Sequence, residues 1–160
     1  MTTTIYCPNG RFNLGTNDGI SITADQMKAA YYNSDGSLIP LEQVDRTTAA
    51  GAYRYCLDTL HNRYPLAVIC WCTPIHAHQQ IRPAANVMAW AESLRIATEF
   101  TGQILIDTIR CGINGINEVN GANGEYLLDG LHPNVNGAKK IGYYNASKVK
   151  PFIGGNHVKS

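Results

Sequence analysis

The 160-residue chain predicts an α/β protein built on an open parallel sheet in three layers. Two features carry that expectation. Leu66 to Cys72 and Gln103 to Ile109 are short, nearly continuous apolar runs, which is how strands covered on both faces read. They alternate with three stretches of helical period, 42–64, 83–100 and the segment that follows Pro133. The order strand, loop, helix, strand, helix, strand, loop, helix gives about three strands and three main helices. In such a sheet, ligand groups sit on the loops at the carboxyl ends of the strands.

Thr2 to Leu14 holds Ile5, Tyr6, Phe12 and Leu14 and runs into Gly15-Thr16-Asn17-Asp18-Gly19, a strand followed by a tight loop. Pro8-Asn9-Gly10 interrupts it, which places the strand at Arg11 to Leu14 unless it is bulged. From Ile20 to Leu41 no period is sustained and Asn33 to Ser37 is turn chemistry, so a surface excursion is expected. Glu42 to Tyr64 then spaces Val44, Thr48, Ala52, Tyr53, Cys56, Leu57 and Leu60 as one face of a helix that stops at Asn62 and Pro65. After the first apolar run, Pro83 to Phe100 repeats the pattern with Val87, Trp90, Ala91, Leu94, Ala97 and Thr98, and Gly102 ends it.

Beyond the strand around Asp107, Cys111 to Glu125 is rich in Gly and Asn and must be loop. The triplets Gly112-Ile113-Asn114 and Gly115-Ile116-Asn117 are too few to be a repeat architecture. The last helix is expected to open at Pro133 and to carry Val135, Ala138, Ile141, Gly142, Asn145, Ala146 and Val149 on one face up to Pro151. One domain over 1–153 and a polar tail over 154–160 is the expected division.

With 44% apolar and 16% charged residues the chain can bury an ordinary core. A formal charge of +1 offers no footprint for nucleic acid, and no window is apolar for long enough to cross a bilayer. No basic stretch followed by an apolar run, as in a signal peptide, opens this sequence. Cys7, Cys56, Cys70, Cys72 and Cys111 are odd in number and lie mostly in apolar stretches, so they read as reduced core thiols and mildly favour a reducing compartment. Cys70 and Cys72 lack a second ligand pair at zinc-site spacing and are expected to be strand cysteines, with no metal.

The chemistry concentrates in Leu128-Asp129-Gly130-Leu131-His132-Pro133-Asn134. A neutral imidazole serves as a general base when one nitrogen is held by an acceptor and the other faces the proton to be moved. Asp129, three residues before His132, is placed to be that acceptor. The loops 15–19, 73–80 and 109–132 leave the same edge of the expected sheet, so Asn17, a neutral amide donor suited to an oxyanion, can converge on the pair. His76 and His78 on the middle loop either line a substrate cleft or simply face solvent. The plainer alternative is that Asn17 and Asp18 cap a turn while Asp129 and His132 start a helix.

Gly15-Thr16-Asn17-Asp18 resembles the third conserved block of the SGNH (GDSL-type) hydrolases, and Asp129-Gly130-Leu131-His132-Pro133 resembles their fifth. The order of elements between them, with a strand ending in Thr73-Pro74, is also similar, and the resemblance runs from Phe12 to Ile153. It implies a flavodoxin-like fold and serine esterase chemistry on acyl esters such as carbohydrate O-acetyl or lipid esters. His132 would be base and then acid, Asp129 its orienter, and Asn17 with Gly15 oxyanion groups; no cofactor is implied.

The chain departs from the family's pattern at the nucleophile, which lies in a Gly-Asp-Ser block before the Gly-x-Asn-Asp block. Fourteen residues precede Gly15, the chain contains no Gly-Asp dipeptide, and its serines are Ser21, Ser34, Ser37, Ser93, Ser147 and Ser160. Ser37, in Asp35-Gly36-Ser37, is expected to be a turn residue. The resemblance therefore describes the C-terminal part of such a hydrolase, an incomplete sheet whose first strand has an open edge. A complementing polypeptide carrying the serine, or a second copy of the chain, is the expected cover for that edge. The rival reading is a non-catalytic binding or structural module that lost the serine.

Overall fold

The computed structural model describes residues 5–6 and 21–153. It is a mixed α/β structure. Its strands are β1 (Ile5–Tyr6), β2 (Val68–Cys72) and β3 (Ile104–Ile106), and its helices are α1 (Ala24–Tyr31), α2 (Ala49–Arg63), α3 (Ala84–Thr101) and α4 (Val135–Ile153). The sheet is ordered β1-β2-β3, with β1 parallel to β2 and Ile5 and Tyr6 opposite Val68 and Ile69. The first strand thus lies at the β-branched and aromatic start of its segment, upstream of Pro8. Arg11 to Leu14, where the sequence placed it, is outside the described residues.

The described residues hold four helices where about three main ones are expected, because residues 21–41 are not only a surface excursion but include α1. Thr23 caps α1 by accepting from the Gln26 amide at 3.2 Å, and the Gln26 side chain accepts from the Thr23 amide at 2.9 Å, a reciprocal capping box. Ile22, before the cap, and Met27, in the second turn, are both buried in the same core and fix the entry of the helix. Only Met27 is buried within α1, which is why its period is too weak to see.

Two helix starts also move. α2 begins at Ala49 rather than Glu42, because Asp45 folds back on the amide and hydroxyl of Thr47 and Thr48 caps the Gly51 amide at 3.1 Å. Residues 41–43 form a separate 3₁₀ turn. α4 begins at Val135 rather than Pro133, and Pro151 falls inside its last turn. Pro133 instead forms an antiparallel bridge with Leu127, and Asn134 takes the cap.

The chain forms two compact units, Met1–Trp71 with Glu92–Leu105, and Cys72–Ala91 with Ile106–Ser160. The first has a core of Ile22, Met27, Ala50, Tyr53, Leu57, Ile69, Trp71 and Ala97. Within it the Tyr53 and Trp71 rings meet at 4.3 Å, and the Tyr53 hydroxyl lies 2.9 Å from Thr101 Oγ1. Arg54 on α2 is buried to 2% exposure and ties α1 to the segment after it. It donates to the Ala30 carbonyl at 2.6 Å and to the Ile39 carbonyl, pairs with Asp58 at 3.1 Å and stacks over the Tyr31 ring.

The second unit packs Cys111, Ile113 and Leu127 with Ile75, Tyr126, Ile141 and Tyr144, and Lys140 Nζ lies 3.9 Å from the Tyr126 ring centroid. Burial pushes the Cys111 thiol above its ordinary pKa, so Cys111 behaves as a core group. The ends of β2 and β3 are tied here. Thr73 donates its amide to the Ile106 carbonyl at 3.1 Å and its hydroxyl to Asp107 at 3.2 Å, and accepts from the Ile109 amide at 2.9 Å. These bonds fix where the loops 73–82 and 107–134 leave the strands.

Candidate active site

Asp129 and His132 do not start a helix; they close a hairpin. The Leu128 amide donates to the His132 carbonyl at 2.7 Å and the Asn134 amide to the Tyr126 carbonyl at 2.9 Å, so 126–128 and 132–134 run antiparallel with Asp129-Gly130-Leu131 as the turn. Asp129 Oδ1 accepts from the amides of Leu131 at 2.9 Å and His132 at 2.8 Å, which spends one carboxylate oxygen on the turn itself. Oδ2 is left for the imidazole, 2.8 Å from His132 Nδ1.

Gly130 makes the turn possible. Its φ is +82°, and a Cβ there would come within 2.6 Å of the Val119 carbonyl oxygen and 3.0 Å of His78 Cβ.

The His132 amide, the His132 side chain and the Leu131 amide together hold the Asp129 carboxyl down to a pKa of about 2. Asp129 is therefore a carboxylate at neutral pH and can only accept. His132 Nδ1 must then carry the shared proton, which leaves Nε2 as the lone-pair nitrogen of the neutral ring. The His132 side chain is 69% exposed and that of Asp129 43%, so the imidazole is accessible from solvent. An imidazole held at one nitrogen by an acceptor, with the lone pair of the other directed elsewhere, is a geometry in which a neutral histidine can take up a proton.

The loop that follows β2 braces the turn. The His78 amide donates to the Gly130 carbonyl at 2.7 Å, the Gly121 amide to the Asp129 carbonyl at 3.0 Å, and the Asn120 side chain to Gln80 Oε1 at 2.7 Å. His78 thus lies beside the Asp129–His132 turn, half-buried, with Nδ1 accepting from the Gln80 amide at 3.3 Å. His76 is also half-buried and makes no hydrogen bond to the turn among the described residues. Of the two histidines, only His78 is hydrogen-bonded to the turn among the described residues. Gly15 and Asn17 lie outside the described residues. Among the described residues no hydroxyl is bonded to His132; Ser37 is bonded within its turn to Asp35 at 2.6 Å, and Ser147 donates to the Tyr144 carbonyl on α4.

Two residues that the sequence did not single out hold the hairpin. Asn134 Oδ1 accepts from the amides of Asn136 and Gly137, both at 3.0 Å, while its Nδ2 donates to the carbonyls of Gly124 and Glu125. Glu118, 5% exposed, accepts from the Tyr126 and Leu127 amides. Asn134 directly before the new helix was a readable cap signal. Glu118 left none, because its partners are backbone groups.

No three His, Cys, Asp or Glu side chains are grouped to hold a metal ion among the described residues, and none of the described helices is long and apolar enough to cross a membrane. No family model matches the chain, and no curated protein and no solved structure matches it either.

Proposed function

We propose that the chain is the C-terminal part of an SGNH-type ester hydrolase that acts on acyl esters, with the nucleophilic serine supplied by a segment other than these 160 residues. The single observation that supports this most is the 2.8 Å contact between Asp129 Oδ2 and His132 Nδ1, made on a turn that leaves the imidazole exposed. The adjacent order of β1, β2 and β3 is compatible with the consecutive strands of a larger flavodoxin-like three-layer sheet, with the edge of β1 as the place where further strands add.

In that assembly the serine hydroxyl would attack the acyl carbonyl and pass its proton to His132 Nε2, and Asp129 would stabilise the imidazolium. The Asn17 amide and Gly15 would donate to the oxyanion. As the tetrahedral intermediate collapses, His132 would return the proton to the leaving alcohol, and a water activated by the same Nε2 would then release the acid.

The test is complementation. The isolated chain is expected not to hydrolyse p-nitrophenyl acetate. Co-expression with a polypeptide carrying a strand, a Gly-Asp-Ser turn, a helix and an oxyanion glycine, of the kind a neighbouring reading frame would encode, is expected to restore hydrolysis, and His132→Ala to abolish it. Activity of the isolated chain that His132→Ala removes would place the nucleophile within the chain. Binding of such a partner without turnover would leave the non-catalytic module as the function.

A further inference from the structure

Glu118 is a buried carboxylate that the proposed reaction does not use. Burying a charged group is unfavourable unless its hydrogen-bonding capacity is met. Here the Tyr126 amide approaches both oxygens, at 3.1 and 3.3 Å, and the Leu127 amide donates to Oε2 at 2.9 Å. Both donors belong to the first arm of the hairpin whose second arm is 132–134. The cavity that receives the carboxylate is shaped for it: a Cβ on Gly124 would lie 2.3 Å from Glu118 Oε2.

The position of Glu118 is itself fixed. Asn114 caps the Ile116 amide at 3.1 Å, residues 115–117 form a 3₁₀ turn, and the Glu118 amide closes that turn on the Gly115 carbonyl. From Glu118 the path to the dyad is short. Its carboxylate holds the Tyr126 and Leu127 amides, and the Tyr126 carbonyl receives the Asn134 amide at 2.9 Å. The Leu128 amide, next along, holds the His132 carbonyl at 2.7 Å. Leu127 is fully buried, so this arm cannot shift without disturbing the unit's core.

We infer that Glu118 is the positioning residue of the Asp129–His132 pair: its buried carboxylate clamps the backbone of 126–127, and that arm sets the register at which Asp129 Oδ2 meets His132 Nδ1. The geometry stands alone; its purpose rests on the ester-hydrolase reading.

The experiment reads the pair and not turnover. A free neutral histidine carries its proton mostly on Nε2, whereas the contact with the Asp129 carboxylate requires it on Nδ1. ¹⁵N NMR of the uniformly labelled full chain, at a pH where His132 is neutral, is expected to show the Nδ1–H tautomer. Glu118→Gln keeps the size but sets an NH₂ against a backbone N–H. Gly124→Ala keeps Glu118 but displaces its carboxylate by the added methyl group.

Both variants are expected to retain the wild-type circular dichroism spectrum, to exchange the Tyr126 and Leu127 amides at least about tenfold faster, and to return His132 to the Nε2–H form. A folded variant that keeps the Nδ1–H tautomer would overturn the inference. Global unfolding of both variants would overturn it as well, by making Glu118 a support of the whole unit. The readout needs no serine, so failure of complementation would sink the proposed function and leave this result standing, and the reverse also holds.

Discussion

The Arg54 cluster and the Asp129–His132 turn each place a cation-forming side chain against a carboxylate, and they use it in opposite ways. Arg54 is buried, and its guanidinium is committed to the Ala30, Tyr31 and Ile39 carbonyls, to Asp58 and to the Tyr31 ring. At 2% exposure it is closed to a ligand, and the charge acts as a staple between α1, α2 and the segment that follows α1. His132 is exposed and uses one ring nitrogen, and its partner divides its oxygens between backbone and imidazole. A buried polar network holds structure together; one that is held on one side and exposed on the other leaves a side chain accessible from solvent.

The largest effect is expected where the network is buried. Arg54→Ala removes the guanidinium and leaves three carbonyls that had a charged donor without one, beside a void where the stem had packed. A loss of about 3 kcal/mol is expected in a denaturant titration. A loss below about 1 kcal/mol would mean that water replaces the guanidinium at those carbonyls, and the contrast with the exposed turn would then fail.

Gly130→Ala attacks the other region and should cost somewhat less. At φ +82° an alanine is held in the left-handed region, and its methyl group meets the Val119 carbonyl at 2.6 Å with no flexible atom to yield. Roughly 2 kcal/mol is expected, from backbone strain and overpacking together. Because the strain falls on the turn, the Leu131 and His132 amides should lose their protection from exchange with solvent. Unchanged protection would show that the turn can be held by other means than the backbone conformation of Gly130.

The two regions also differ in how far the sequence disclosed them. The apolar runs gave β2 and β3, and helical spacing gave most of α2, α3 and α4, because these elements bury one face or both and their periods survive. α1 escaped, since an eight-residue helix with one buried residue has no period to find; its only signal was Thr23 with Gln26. The Asp129–His132 contact was legible because it is local in the chain and both groups are chemically distinctive. Glu118 and Arg54 were not, because most of what each one binds is backbone carbonyl or amide, which every residue possesses. His78 was legible as a loop histidine, but its hydrogen bond to the Gly130 carbonyl depends on loop paths that no pattern encodes.

Asp129→Asn is the smallest change and the most pointed. The amide oxygen can still accept from the Leu131 and His132 amides, so the turn should persist at neutral pH, weakened by what the negative charge adds to those bonds. What changes is the response to acid. The folded carboxyl titrates at about 2 against an ordinary 3.8, so its stabilising contribution is complete above about pH 4, fades as the pH falls, and is gone below about pH 2. Wild type should therefore lose stability across that window, and the Asn variant should lose less, by at most about one proton in the slope of unfolding free energy against pH. The same substitution presents an NH₂ group to His132 Nδ1, which must then accept, and the ring proton moves to Nε2. A base whose outward nitrogen already carries a proton cannot receive one from a hydroxyl, so the complemented enzyme should lose turnover by roughly 10³–10⁴-fold while its fold is intact. If turnover survived this change, the carboxylate would be a brace for the turn alone, and the exposed pair would be no different in kind from the buried one.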